Sequence, residues 1–376
     1  MRLTLPLYAG GFLGPFGGAM LVALIPNIAG GLDTSLGLVA ASITAYMVPF
    51  AALQLVSGTV AERIGARRVV RTGYLVFGAA ALACALAPEI WSFLAARAVM
   101  GAANAFLSPI LLAALSEVVA PAVLGRTVGT FAAWQTAGFT LAPAIGGALG
   151  EVSWRLAFAI VTVAALVLAL PRQTLGSFEA TGSRGASFAV LRSRWMALLS
   201  AKALLGYLGF TAIGFVLVLV AAEEFGLSSG ERGLLVAGYG LGGVFLGRFA
   251  GSVVDRAGRP ATALAGAVVC AVGVLALAWA PTVWTLALLW LAIGCAGTFV
   301  WAGLNTMAVE SFPRNRAGAT SLFSAFKFAG VAIGPLLYVP IFERDARAPF
   351  LVAAAFTLLL AVLLAPWFSR YREVPA

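Results

Sequence analysis

Three charged side chains, Arg97, Lys202 and Lys327, lie inside long apolar runs of this sequence. An ionised side chain in the middle of a membrane span costs about 2.5 to 3.5 kcal/mol on insertion scales, so each marks a place where a substrate or a proton is handled. The competing explanation is snorkelling toward the nearer interface. At 1.5 Å per residue the three lie roughly 8, 9 and 12 Å from the ends of their runs. Lys327, between Phe326 and Phe328, is the deepest. No Asp or Glu reaches a similar depth: Asp33, Glu151, Glu223 and Glu224 fall at one set of run ends, Glu62, Glu117 and Glu310 at the other. A site furnished with cations and no acid favours neutral or anionic compounds, and a desolvated lysine can itself take up and release a proton. Tyr46, Gln54, Asn104, Trp134, Gln135, Tyr207, Tyr239, Trp301 and Asn305 are polar or aromatic residues placed to line a midplane cavity. Aromatic residues in spans more often pack or sit at interfaces, so a minority of these is expected to touch ligand.

A second group of charges sits in a loop that occurs twice. Gly58, Glu62, Arg63 and Gly65 recur as Gly251, Asp255, Arg256 and Gly258, at the constant offset of 193 positions that separates Gly58 from Gly251, and basic residues follow in both copies, Arg67 and Arg68 in the first and Arg259 in the second. The same shift carries Gly101 onto Gly294, Trp91 onto Trp284 and Glu117 onto Glu310. The glycines permit a tight reversal between helices. The acids are placed to cap a helix start or pair with arginine, and Glu117 and Glu310 are the natural partners of the loop arginines. Such a cluster can latch one conformation and release another. Surface ion pairs worth about 0 to 1 kcal/mol are the plainer reading, against which the exact duplication argues.

Both groups need elements to hold them. The chain is 62% hydrophobic and 10% charged with a mean hydropathy of +1.01, far from the roughly 25% charge of globular domains. Apolar runs long enough to cross a bilayer occur at roughly 5–28, 36–58, 72–88, 92–115, 127–149, 156–171, 196–221, 232–252, 261–280, 282–303, 319–341 and 349–368. They lack strand-like alternation, so helices, not a barrel, satisfy their backbone. The fold class expected is all-α integral membrane: twelve transmembrane helices in two pseudo-symmetric six-helix bundles, 1–171 and 196–376. The hydrophilic stretch 172–195, with Gly182, Ser183, Gly185 and Ser187, joins them as a cytoplasmic linker.

The net charge of +10 is a matter of topology, not of nucleic acid. Arginines such as Arg2, Arg63, Arg126, Arg194, Arg256, Arg314 and Arg370 fall in alternate loops, and the other loops hold only Arg155, Arg232, Arg344 and Arg347. This positive-inside bias places both termini in the cytoplasm, and no soluble basic segment is long enough to fold as a nucleic-acid domain. Cys84, Cys270 and Cys295 match no metal or redox spacing and there is no histidine, so neither metal nor cofactor is expected. Without histidines or buried acids an intramembrane enzyme is disfavoured, and the missing GxxxxGK[ST] loop disfavours ATP-driven transport.

The loop Gly251-Ser-Val-Val-Asp255-Arg256-Ala-Gly258-Arg259 resembles the signature of the major facilitator superfamily, and the first copy departs from it in Glu62 and Ala66. Gly129, Gly138, Pro143, Gly146 and Gly147 resemble the family's antiporter signature in the fifth span, with Ala142 in place of glycine; Gly334-Pro335 repeats its hinge in span eleven. Physically, small residues admit a close neighbour and proline kinks the span. Arg97 and Gly101 resemble the family's arginine and glycine in the fourth span, linked in exporters to proton coupling. The resemblance covers nearly the whole chain. It implies a monomeric secondary transporter in the plasma membrane, working by alternating access and exporting a small amphipathic or anionic compound in exchange for protons. Symport or facilitated uptake, and a sensor without flux, stay open as alternatives. Arg97, Lys202 and Lys327 map under the repeat onto Trp290, Ala9 and Trp134, so symmetry of packing does not account for their charge.

Overall fold

The structure is a computed structural model that describes residues 5–119, 123–170, 193–312 and 316–367. The side chains of Glu62 and Glu117 and most of the 172–195 linker lie outside the described residues. The twelve expected spans are all helical. The first six are α1 (Leu5–Gly31), α2 (Leu36–Ile64), α3 (Ala66–Leu86), α4 (Ile90–Asn104 continued by Ser108–Val118), α5 (Leu124–Gly150) and α6 (Trp154–Leu168). The second six are α7 (Arg194–Glu223), α8 (Ser229–Ala257), α9 (Arg259–Leu277), α10 (Val283–Glu310), α11 (Arg316–Phe342) and α12 (Ala348–Leu364). Among the described residues, eight of them are both long and apolar enough to cross a membrane. Large apolar side chains turned outward, such as Val163, Leu288, Phe245 and Trp284 at 62 to 79% exposure, give the helices a lipid-facing coat.

Local chemistry sets where the helices start. Ser35, Ser153, Ser193 and Thr282 each accept a hydrogen bond from a backbone N–H one to three residues into α2, α6, α7 and α10, a cap worth about 1 kcal/mol. Ser228 and Glu231 form a reciprocal capping box at the start of α8: Glu231 Oε2 accepts from the Ser228 N–H at 2.8 Å and Ser228 Oγ from the Glu231 N–H at 3.3 Å. The reversals expected at the two signature loops are present. Gly65 and Gly258 join α2 to α3 and α8 to α9 at φ of 96° and 92°, a region that only glycine enters freely.

Two helices break their regular hydrogen bonding. Met20–Leu24 of α1 is a 3₁₀ turn. Tyr207–Thr211 of α7 is a π turn in which the Ala212 N–H reaches the Tyr207 carbonyl at 2.7 Å, and the buried Tyr338 hydroxyl donates to the Leu208 carbonyl at 2.6 Å. The chain divides into two compact units, one comprising Met1–Gly182 with Gly226–Ala237, the other Ser183–Phe225 with Gly238–Ala376. The first turns of α8 therefore cluster with the first unit.

Candidate functional site

In the first unit Arg97 is wholly buried and does not snorkel. Its Nη1 donates to the Gly17 carbonyl at 3.0 Å and its Nη2 to the Gly18 carbonyl at 3.3 Å, just before α1 tightens into its 3₁₀ turn. The guanidinium carbon lies 4.4 Å from the centroid of Tyr46 on α2, whose hydroxyl donates to the Gly14 carbonyl. Asn104 on α4 closes this knot at 4% exposure, with its Oδ1 against Gly14, where a Cβ would collide with it. Arg97 and Asn104 therefore tie α1, α2 and α4 together in the protein interior. Trp134 is half-buried on α5 and packs with Tyr8 and Phe12 of α1 at 6.3 and 6.4 Å, beside the half-buried Gln135.

The second unit brings three of the sequence candidates together. Lys327 Nζ of α11 lies 5.5 Å from the ring of Tyr207 in the π turn, 5.4 Å from Trp301 of α10 and 5.8 Å from Phe323 one turn back on α11. Tyr207 and Trp301 pack on each other at 4.7 Å, and the Trp301 indole N–H donates to the Tyr239 hydroxyl at 3.4 Å, which shares a hydrogen bond with Thr211 at 3.2 Å. Lys327, Tyr207 and Trp301 are each half-buried, so this ring of aromatic faces around an ammonium remains accessible. Asn305, one turn further along α10, is exposed and stands outside the ring. Lys202 is elsewhere: 1% exposed, its Nζ is 3.0 Å from the ring centroid of Trp367.

The second copy of the paired loop is tied down by an ion pair. Arg259 donates to both Glu310 oxygens, at 2.8 and 3.2 Å, and this bidentate pair links α9 to the end of α10. The first copy has Ala66 at the corresponding position, and Arg63, Arg67 and Arg68 are exposed. Asp255 and Arg256 are exposed too, and no side chain caps the start of α9. Gly58 and Gly251 have open space where a Cβ would go, so neither is demanded by packing.

A profile of the Major Facilitator Superfamily matches this chain twice, over residues 7–205 and 199–376, once per half of the duplication. The chain belongs to the Major Facilitator Superfamily. An MFS-type transporter of Mycobacterium tuberculosis is 24% identical over 359 residues, covering 77% of this chain and 61% of that one. The methylenomycin A resistance protein of Streptomyces coelicolor is 33% identical over 175 residues, 44% of this chain and 37% of that one. The matches thus span less than two thirds of these relatives' own length. Among solved structures, a nucleoside transporter superposes with a TM-score of 0.81 at 16% identity, covering 98% of this chain and all of that one, a likeness of fold.

Within this superfamily frame, the small residues of α5 act through close approach. A Cβ on Gly138 would collide with the Phe12 carbonyl, and one on Gly146 would sit 2.7 Å from the Met20 carbonyl, so α1 runs against this face of α5. Gly147 meets the Ser229 carbonyl in the same way, and Gly233 meets that of Pro143. Pro143 and Pro335 lie inside continuous helices, and Gly334 packs on Ala212 of α7.

Two sets of contacts were not legible in the sequence. Tyr46 and Tyr239 occupy equivalent positions under the repeat, and their carbonyls lie where Cβ atoms on Gly101 and Gly294 would collide. Tyr46 carries the Arg97 guanidinium, whereas Tyr239 carries the Trp290 ring at 5.0 Å. The other set is Glu151, Asn27 and Arg232. Glu151 Oε1 accepts from the Ser229 hydroxyl at 3.1 Å and from the Gly230 N–H, and Arg232 donates to Asn27 Oδ1. The Gly230 N–H first, with the seryl groups of 228 and 229 and the charge of Arg232 adding to it, holds the Glu151 carboxyl below the usual carboxylate range.

Proposed function

We propose that this protein is a secondary transporter of the cytoplasmic membrane that exports a small amphipathic or anionic compound in exchange for protons, with both termini in the cytoplasm. The observation that carries the reading is the half-buried Lys327 ammonium among the faces of Tyr207, Trp301 and Phe323, in a chain with no acid deep in any apolar run. An ammonium there pairs with a carboxylate while the rings stack on an apolar body, and a cationic compound would be repelled. The resistance protein among the relatives supports outward transport.

Binding of 1-naphthoate, 1-naphthalenemethanol and 1-naphthylmethylamine to the purified protein tests this. The carboxylate is expected to bind tightest and the amine weakest, and Lys327→Gln to lower affinity for the carboxylate about tenfold, the loss of about 1.4 kcal/mol of charge-assisted contact. Preference for the amine would refute the reading of the site. Flux measured in right-side-out and inverted vesicles under an imposed proton gradient assigns direction.

A further inference from the structure

Lys202 is a charged residue that the Lys327 site leaves unused. It lies on α7, two turns in from the helix start at Arg194, and points back toward that end. It does not reach solvent. Trp367, just beyond α12, covers it, and Trp367 is itself stacked on Trp195 with ring centroids 3.7 Å apart and planes 11° from parallel. The Trp195 indole N–H donates to Ser311 Oγ at 3.2 Å, which anchors the stack to the end of α10. Among the described residues Lys202 Nζ has no hydrogen-bond acceptor.

We propose that Lys202 is a proton-exchange site of the second unit, and that the Trp367–Trp195 stack is its lid. This rests on the reading of the protein as proton-coupled. Among the described residues the charged form is held by the Trp367 ring face and by no carboxylate. From α11 the ionisable side chains described are Lys327, turned into its own ring of aromatics, and Tyr338, whose hydroxyl donates to the Leu208 carbonyl; from the π turn it is Tyr207; from α10 they are Glu310, paired with Arg259, and Cys295. Residues 348–364 of α12 contain none, and Arg194 at the start of α7 is exposed. An ammonium with one aromatic face as its support can give its proton to water and become a neutral amine when the lid parts. The step is a bare transfer, ammonium plus water to amine plus hydronium, and needs no other reactant. The lid lies at the end of the unit where α7 begins, so in the proposed topology it faces the cytoplasm, the side to which an antiporter releases its proton.

The stack is also the reporter. Tryptophan emission and near-ultraviolet circular dichroism of the full chain in nanodiscs, followed from pH 5 to 10, are expected to show a one-proton transition as the ammonium leaves the Trp367 face. Lys202→Met should abolish it. Lys202→Arg should also abolish it while keeping the low-pH spectrum, since guanidinium retains its charge across this range and still stacks. Trp367→Phe should remove most of the amplitude. A transition that survives in Lys202→Met or Lys202→Arg, or a wild-type signal flat over the whole range, overturns the proposal. The arginine variant, with monodispersity on gel filtration, guards against a methionine variant that misfolds. Failure here with selective naphthoate binding intact would remove Lys202 and leave the Lys327 reading; a Lys202 transition without naphthoate selectivity would do the reverse.

Discussion

At the scale of single residues, burial separates charges that the sequence alone presents as equals. Arg97, Lys202 and Lys327 are all cations inside apolar runs, yet one is hydrogen-bonded to backbone carbonyls, one is roofed by a tryptophan and one is half-open. Arg97 is thus a structural clamp in this conformation. Its replacement by methionine removes the guanidinium donors from the Gly17 and Gly18 carbonyls beside the 3₁₀ turn. We expect a loss of about 3 kcal/mol in stability, read as a lower thermal unfolding temperature in detergent, with Arg97→Lys recovering only part of it because a single ammonium cannot bridge both carbonyls and stack on Tyr46. Sequence spacing could identify these three residues, since ionised groups in apolar runs stand out. It could not sort them, because the sorting depends on partners brought from distant helices: Gly17 and Gly18 for Arg97, Trp367 for Lys202, Trp301 for Lys327.

At the scale of elements, the start of α8 is held by contacts from both of its neighbours in the first unit. Glu151, at the end of α5, places its carboxylate at the first N–H groups of α8, where the helix dipole favours a negative charge, and Arg232 reaches back to Asn27 of α1. Glu231 on the same turn is engaged in its capping box, Arg155 at the start of α6 donates to the Ala85 and Ala87 carbonyls, and Asp33 in the turn after α1 is exposed, so Arg232 is the charged partner. Because the contact lowers the Glu151 pKa, it is favoured above the ordinary glutamate range near pH 4.3 and is lost as pH falls through the lowered value. Spin labels at Val152 and Leu234, which are 81% and 69% exposed, are expected to keep one distance distribution between pH 8 and 6 and to broaden only in stronger acid. Glu151→Gln should broaden it throughout. The sequence marked Glu151 as a span-end acid but gave no pairing, since nothing in the linear pattern links residue 151 to residue 230.

At the scale of the whole molecule, the duplication predicts backbone geometry better than it predicts chemistry. The equal φ values of Gly65 and Gly258 and the matching approaches of Gly101 to Tyr46 and Gly294 to Tyr239 are conserved across the two halves because helix crossing leaves no room for alternatives. Gly101→Ala and Gly294→Ala should therefore each cost about 1 to 3 kcal/mol, whereas Gly58→Ala and Gly251→Ala, facing open space within helices, should be neutral or stabilising by up to about 1 kcal/mol; thermal unfolding of the four variants checks this. What the two halves do not share is where charge is kept. The Arg259–Glu310 pair has Ala66 in place of its arginine in the first half, and the Arg97 guanidinium is replaced by the Trp290 ring in the second. The twelve-helix plan was legible because apolar run length and loop glycines are local properties; the division of labour between halves was not, because it lies in which side chain fills an equivalent gap.

The π turn of α7 adds one more consequence. A π turn is a helix with one surplus residue, and each residue of an α-helix turns the chain by about 100°. The stretch carrying Lys202 and the stretch from Gly214 onward are therefore out of phase by that angle, and Tyr207 sits at the join. If a rearrangement passed the surplus residue along the helix, the intervening side chains would change azimuth together. The aromatic wall beside Lys327 would then be rebuilt by rotation about one axis, with no helix in the unit having to slide past another.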